Sequence, residues 1–129
     1  MIDAHVPDSP PRRSVLWFGL LGGAIAWVAH FLLAAVISEF GCLAGWGEIS
    51  FQGITAIAWA ILMISVVMLL IAVAATAAAR GSLRQLRAAG ADRESSEFLM
   101  ARLGWITSAV FSLIIAVQTV PIFYYLGSC

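Results

Sequence analysis

Residues 14–40 read SVLWFGLLGGAIAWVAHFLLAAVISEF. No charged side chain interrupts this run before Glu39, and Arg12 and Arg13 stand directly ahead of it. A helix rising about 1.5 Å per residue needs about 20 apolar residues to cross a hydrocarbon layer of about 30 Å. The run passes that test with residues to spare. One ionisable side chain, His30, lies inside it. Gly19 and Gly23 are four apart, and Ala26, Trp27, His30 and Ala34 continue the same helical face. Small residues on one face let two helix backbones approach closely, so Gly19, Gly23 and Ala26 mark the expected packing face of this span.

Two further runs have the same character. The reading is therefore an all-α integral membrane protein with three transmembrane helices over about 14–38, 54–79 and 103–125. Residues 1–13 form a flexible tail, and 14–129 one three-helix membrane domain. Composition agrees: of 129 residues, 62% are hydrophobic and 11% charged, where a soluble domain carries about 25% charged residues. Mean hydropathy is +0.98. The Arg12-Arg13 pair is reminiscent of a twin-arginine signal, but the apolar run behind it is far longer than a signal peptide's, which points to an uncleaved span.

The segments between the runs differ in charge. The loop at 39–53 (EFGCLAGWGEISFQG) holds two acids and no Lys or Arg, with glycines at 41, 45 and 47 expected to break the first helix. Phe40, Trp46 and Phe51 suit the headgroup level. The connector at 80–102 (RGSLRQLRAAGADRESSEFLMAR) is rich in arginine. It reads as a solvated connector or as a short surface helix, with Leu83 and Leu86 in lipid and Arg84 and Arg87 at phosphates. Gly90 should end that helix, and Asp92, Ser95 and Ser96 are cap-type residues ahead of span three. Trp105 stands near the start of span three and Tyr124 near its end; Pro121 should kink it.

Positive charge sets orientation. All seven basic residues are arginines, and three spans put them all on one side. The N-terminus and the 80–102 connector are then cytoplasmic, and the 39–53 loop and the C-terminus periplasmic, in a bacterial inner membrane. Cys42 and Cys129, the only cysteines, fall together on the outer side. In an oxidising periplasm they are expected to form a disulfide. Two free thiols, or a pair of ligands for a soft metal such as copper, are the rival readings.

Depth counting brings three polar residues to one level. His30 lies about 26 Å of helix beyond Arg13, Gln118 about 24 Å beyond Arg102, and Ser65 about 22 Å from Arg80. Polar groups in lipid pair with one another or serve a function. The layer of His30, Ser65 and Gln118 is thus either interhelical adhesive or a functional feature. It could line a homo-oligomeric transporter or channel, or hold haem or quinone through His30. A b-type haem would need a second ligand from another chain. The sequence has no nucleotide loop, HExxH, Ser–His–Asp set or CxxCH, so no catalytic residue is named. No cofactor is required, and the partners expected are the lipid bilayer and a larger membrane complex or further copies of the chain, not nucleic acid.

Residues 17–23 (WFGLLGG), with Ala26-Trp27, His30, Glu39 and Cys42, resemble the first span of small bacterial three-helix membrane proteins found alongside haem-copper (cytochrome c) oxidases. That resemblance implies a non-catalytic accessory, assembly or small structural subunit of a respiratory complex.

Overall fold

A computed structural model describes residues 11–126 and Cys129. The tail expected over residues 1–13 lies outside the described residues up to residue 10. Three long helices follow one another: α1 (Arg13–Leu43), α2 (Ala56–Ala88) and α3 (Ser96–Leu126). Each packs against both others. All three are long and apolar enough to cross a membrane, with mean hydropathies of 2.2, 2.8 and 1.8 over their most apolar stretches.

The surface and the interior are inverted relative to a water-soluble bundle. Large apolar side chains face outward: Ile25, Met63, Leu70 and Leu113 are each more than three-fifths exposed. The buried set is mostly small or polar and includes Gly19, Gly22, Gly23, Ala26, Ala72, Ala75, Ser65, Ser108 and His30. An apolar exterior on this scale is unstable in water and at home in lipid. Small interior residues let helices approach where lipid offers no hydrophobic drive to associate.

The helices run longer than the expected spans, and the reasons are local. Gly41 does not break α1. It lies within the helix, where a Cβ would sit 2.8 Å from Ile57 Cγ1, so its role is close approach to α2. The helix stops at Gly45, which has φ +77°. Gly45 N–H donates to Cys42 O and Trp46 N–H to Gly41 O, the paired bonds of a Schellman ending.

The connector at 80–102 contains no separate surface helix. The first third of it continues α2 without interruption to Ala88. Leu83 and Leu86 face protein rather than lipid and form a cluster with Leu16, Phe98 and Ala101. As the sequence predicts, Gly90 (φ +68°) terminates the helix. Its N–H bonds Arg87 O, and the N–H of Ala91 bonds Leu86 O, a second Schellman ending. Ser95 caps α3 by accepting from Phe98 N–H at 3.3 Å. Pro121 lies inside α3 and withholds the N–H that a helix would direct at Val117 O.

The 39–53 loop adds what an all-α reading omits, a two-stranded hairpin of β1 (Ser50–Phe51) and β2 (Ile54–Thr55). Gln52 (φ 53°) and Gly53 (φ 78°) make its two-residue turn, the left-handed pair that suits strand twist. Thr55 then caps α2 by accepting from Ala58 N–H at 3.2 Å. Trp59 closes the hairpin by donating from Nε1 to Phe51 O at 3.3 Å.

Candidate functional site

The glycine face of α1 sits in the groove between α2 and α3 and serves both. A Cβ at Gly19 would lie 3.0 Å from Ala79 Cβ, and one at Gly22 2.8 Å from Ala75 Cβ, both on α2. A Cβ at Gly23 would lie 2.7 Å from Ser108 Cα on α3. Gly104 answers from α3, where a Cβ would meet the Gly19 carbonyl carbon at 2.9 Å. This closeness permits a direct bond: Ser108 Oγ donates to Gly19 O at 2.7 Å, with Ser108 wholly buried. Ala26 continues the face into a small cluster with Ala72 and Ile115. The sequence pattern does not mark Gly22, Gly104 or Ser108. Gly22 breaks the four-residue spacing that picks out Gly19 and Gly23, and the other two lie on the partner helix.

One turn deeper, His30 is 0% exposed. Its Nε2 and Ser65 Oγ are 2.8 Å apart. Ser65 Oγ also lies 2.8 Å from Ile61 O, to which it donates its one proton. The imidazole is then the donor, in the Nε2–H tautomer. Its Nδ1 has no hydrogen-bond partner and is a bare acceptor. The opposite tautomer would bury an unpaired N–H, the costlier arrangement.

Gln118 is not part of this pair. Its Oε1 accepts instead from Trp27 Nε1 at 3.0 Å, one turn before His30 on α1. Trp27 also packs its ring on Phe111 at 5.6 Å between centroids. The layer expected from depth counting is thus two separate bonds. His30 joins α1 to α2 through Ser65, and Trp27 joins α1 to α3 through Gln118. Depth alone could not tell which neighbour each would choose, because that depends on the rotation of each helix about its axis.

At the hairpin end, Cys42 and Cys129 are joined by a disulfide with Cα atoms 5.8 Å apart. It ties the end of α1 to the residue beyond α3, 87 positions later. With each sulfur bonded to the other, neither the free-thiol nor the soft-metal arrangement is present. Gly47 makes room for the bridge, since a Cβ there would lie 2.7 Å from Cys129 Sγ. At the opposite end stand the arginines: Arg12 and Arg13 at the start of α1, Arg80, Arg84 and Arg87 on α2, and Arg93 and Arg102 around the start of α3.

Among the described residues no group of three or more His, Cys, Asp or Glu is placed to hold a metal ion. No protein-family model matches the chain, and neither a curated protein nor a solved structure matches it.

Proposed function

We propose that the chain is a multi-pass protein of the bacterial inner membrane that serves as a small, non-catalytic subunit or accessory protein of a larger complex, of the kind that carries out respiratory electron transfer. The observation that carries this reading is the position of His30. The one ionisable group in the middle of a span is enclosed, and its Nε2 is committed to an interhelical bond with Ser65. That is the geometry of a packing device. A channel lined by His30, Ser65 and Gln118 would need all three to face one water path, whereas Gln118 bonds Trp27 on another seam. Haem or quinone bound through His30 would have to displace Ser65 or reach the enclosed Nδ1.

The proposed orientation is cytoplasmic for the N-terminus and periplasmic for the C-terminus. Two independent features support it. The arginines gather at one end of the bundle and the disulfide lies at the other, matching a reducing, positive-inside face and an oxidising outer one. Arg12 and Arg13 at the positive end of the α1 dipole do nothing for helix stability, and no acid offsets them in the first turn. A topological role accounts for their placement.

A partner has somewhere to sit. The lipid-facing side of α1 carries a shallow apolar depression where Ala24 and Ala29 lie between Ile25, Val28 and Leu32. Small residues flanked by branched ones let a foreign helix approach closely. The resemblance of span one to proteins found beside haem-copper oxidases favours a respiratory partner.

The test is extraction of the tagged protein in mild detergent, followed by a native gel, mass spectrometry of co-migrating chains and an absorption spectrum. Co-migration with respiratory subunits is expected. A colourless homo-oligomer without companions overturns the reading.

A further inference from the structure

Val73, Thr76, Ala77, Arg80, Arg84 and Arg87 fall at helical spacing and form one stripe along α2. Trp105, Ala109 and Ser112 form the matching stripe on α3. Between them run two adjoining hollows of about 380 and 370 Å³, which share Arg80 and Trp105. The outer one is lined by the three arginines, Leu83 and Trp105. The inner one descends between Val73 and Ala77 on one side and Ala109 on the other.

The polarity changes along this groove as it does along a phospholipid. Arg80, Arg84 and Arg87 are exposed at the mouth, and none makes an ion pair among the described residues. The indole of Trp105 stands where the two hollows meet, and tryptophan favours the boundary between headgroup and hydrocarbon. Below it the floor is small and smooth. Thr76 and Ser112 contribute size rather than recognition there, because each hydroxyl donates to its own helix, at Ala72 O (2.9 Å) and Ser108 O (2.8 Å).

We infer that this groove is a binding site for one anionic phospholipid of the cytoplasmic leaflet, with its phosphodiester held by Arg80, Arg84 and Arg87 and an acyl chain laid along Val73, Ala77 and Ala109. Arginine forks match phosphate oxygens in geometry as well as charge. Basic pockets between membrane helices on the cytoplasmic side suit anionic headgroups. The apolar continuation distinguishes a lipid from a free anion. The inference rests on the reading that the chain is embedded in a bilayer, and not on the identity of any partner complex.

The experiment uses the full chain with its disulfide intact, delipidated in dodecylmaltoside. It is titrated with dioleoylphosphatidylglycerol or dioleoylphosphatidylcholine, and bound lipid is counted by native mass spectrometry. Phosphatidylglycerol should bind about tenfold or more tightly. The triple variant Arg80→Gln, Arg84→Gln, Arg87→Gln should bring that preference down to near parity between the two lipids. The double variant Arg93→Gln, Arg102→Gln, which alters arginines outside the groove, should keep it. Equal binding of the two lipids overturns the proposal, as does equal loss in the two variants. Displacement by deacylated glycerophosphoglycerol at matching concentration would mark a soluble-anion site and also overturn it. Carbonate extraction of native membranes separates the two levels. Release of the chain defeats the membrane reading, whereas retention with no lipid preference defeats the groove alone.

Discussion

Adding one methyl group at Gly23 should drive α1 and α3 apart. The new Cβ would sit 2.7 Å from Ser108 Cα, a backbone atom that cannot swing aside. Reaching an ordinary 3.4 Å contact requires a displacement of about 0.7 Å. Moving α3 away also disturbs the close approach of Gly104 to the Gly19 backbone one turn earlier. Separation also stretches the 2.7 Å bond from Ser108 Oγ to Gly19 O. Overpacking of this kind costs about 1–3 kcal/mol, and a lost interhelical bond adds about 0.6 kcal/mol. Better helix propensity returns up to about 1 kcal/mol. The net expectation for Gly23→Ala is a loss of about 0.6–2.6 kcal/mol. Gly81→Ala makes the same chemical change on α2, where a Cβ meets nothing within 4 Å, so it should gain up to about 1 kcal/mol. Both are read by titration with sodium dodecyl sulfate in mixed micelles, followed by tryptophan fluorescence. If Gly23→Ala is as stable as the parent, or if the two variants move together, the close-approach argument is wrong.

Three further expectations concern the polar contacts and the ends. A double-mutant cycle on His30→Phe and Ser65→Ala should give a coupling of about 0.6–1.7 kcal/mol, and Ser65→Ala alone should cost more than the double variant because it leaves a buried Nε2–H unpaired; a coupling of zero within error would remove the bond from the account. Cys129→Ser should abolish the reduction-dependent shift in gel mobility and cost less than the roughly 4–5 kcal/mol of a free chain, since unfolded spans stay confined by the bilayer; Cys42→Ser and the double variant should match it, and additive losses would show that the sulfurs act separately. In a cysteine-free background, Gln52→Cys at the hairpin tip should react with an impermeant maleimide in intact cells and Arg93→Cys only after permeabilisation; the reverse pattern would invert the orientation.

How much of this was legible in the sequence follows from what each signal depends on. Span number and the shared end of the arginines depend on composition and alternation along the chain, which one sequence carries in full. The Cys42–Cys129 pairing follows from that topology, since an odd number of spans brings both thiols to one end. The packing face of α1 was readable because its buried residues are small and helically spaced. Helix ends were harder. Gly41 and Gly45 look alike in the sequence, yet only Gly45 adopts positive φ, while Gly41 is needed small because Ile57 lies against it. Leu83 and Leu86 alternate with arginines as a surface helix would. What they bury against, Leu16 and Phe98, belongs to other helices. The partners of His30 and Gln118 depended on helix rotation, which no single helix encodes.

Those partners also explain why a bundle built on small residues holds one register. Gly19, Gly22 and Gly23 against Ala75, Ala79 and Gly104 make a smooth contact that a neighbouring helix could meet at several offsets. Three bonds remove that freedom: Gly19 O to Ser108 and Trp27 to Gln118 on α3, and His30 to Ser65 on α2. Sliding α1 by one turn, about 5.4 Å, would take Nε2–H and the indole N–H from their acceptors at once. In a bilayer no water would replace them. The small residues set how close the helices come, and the polar residues set where along their length they stop. His30 acts in the second way. Its ring reaches across a seam that the glycines have made narrow, and its N–H finds an acceptor in Ser65, whose own proton is held by Ile61 O.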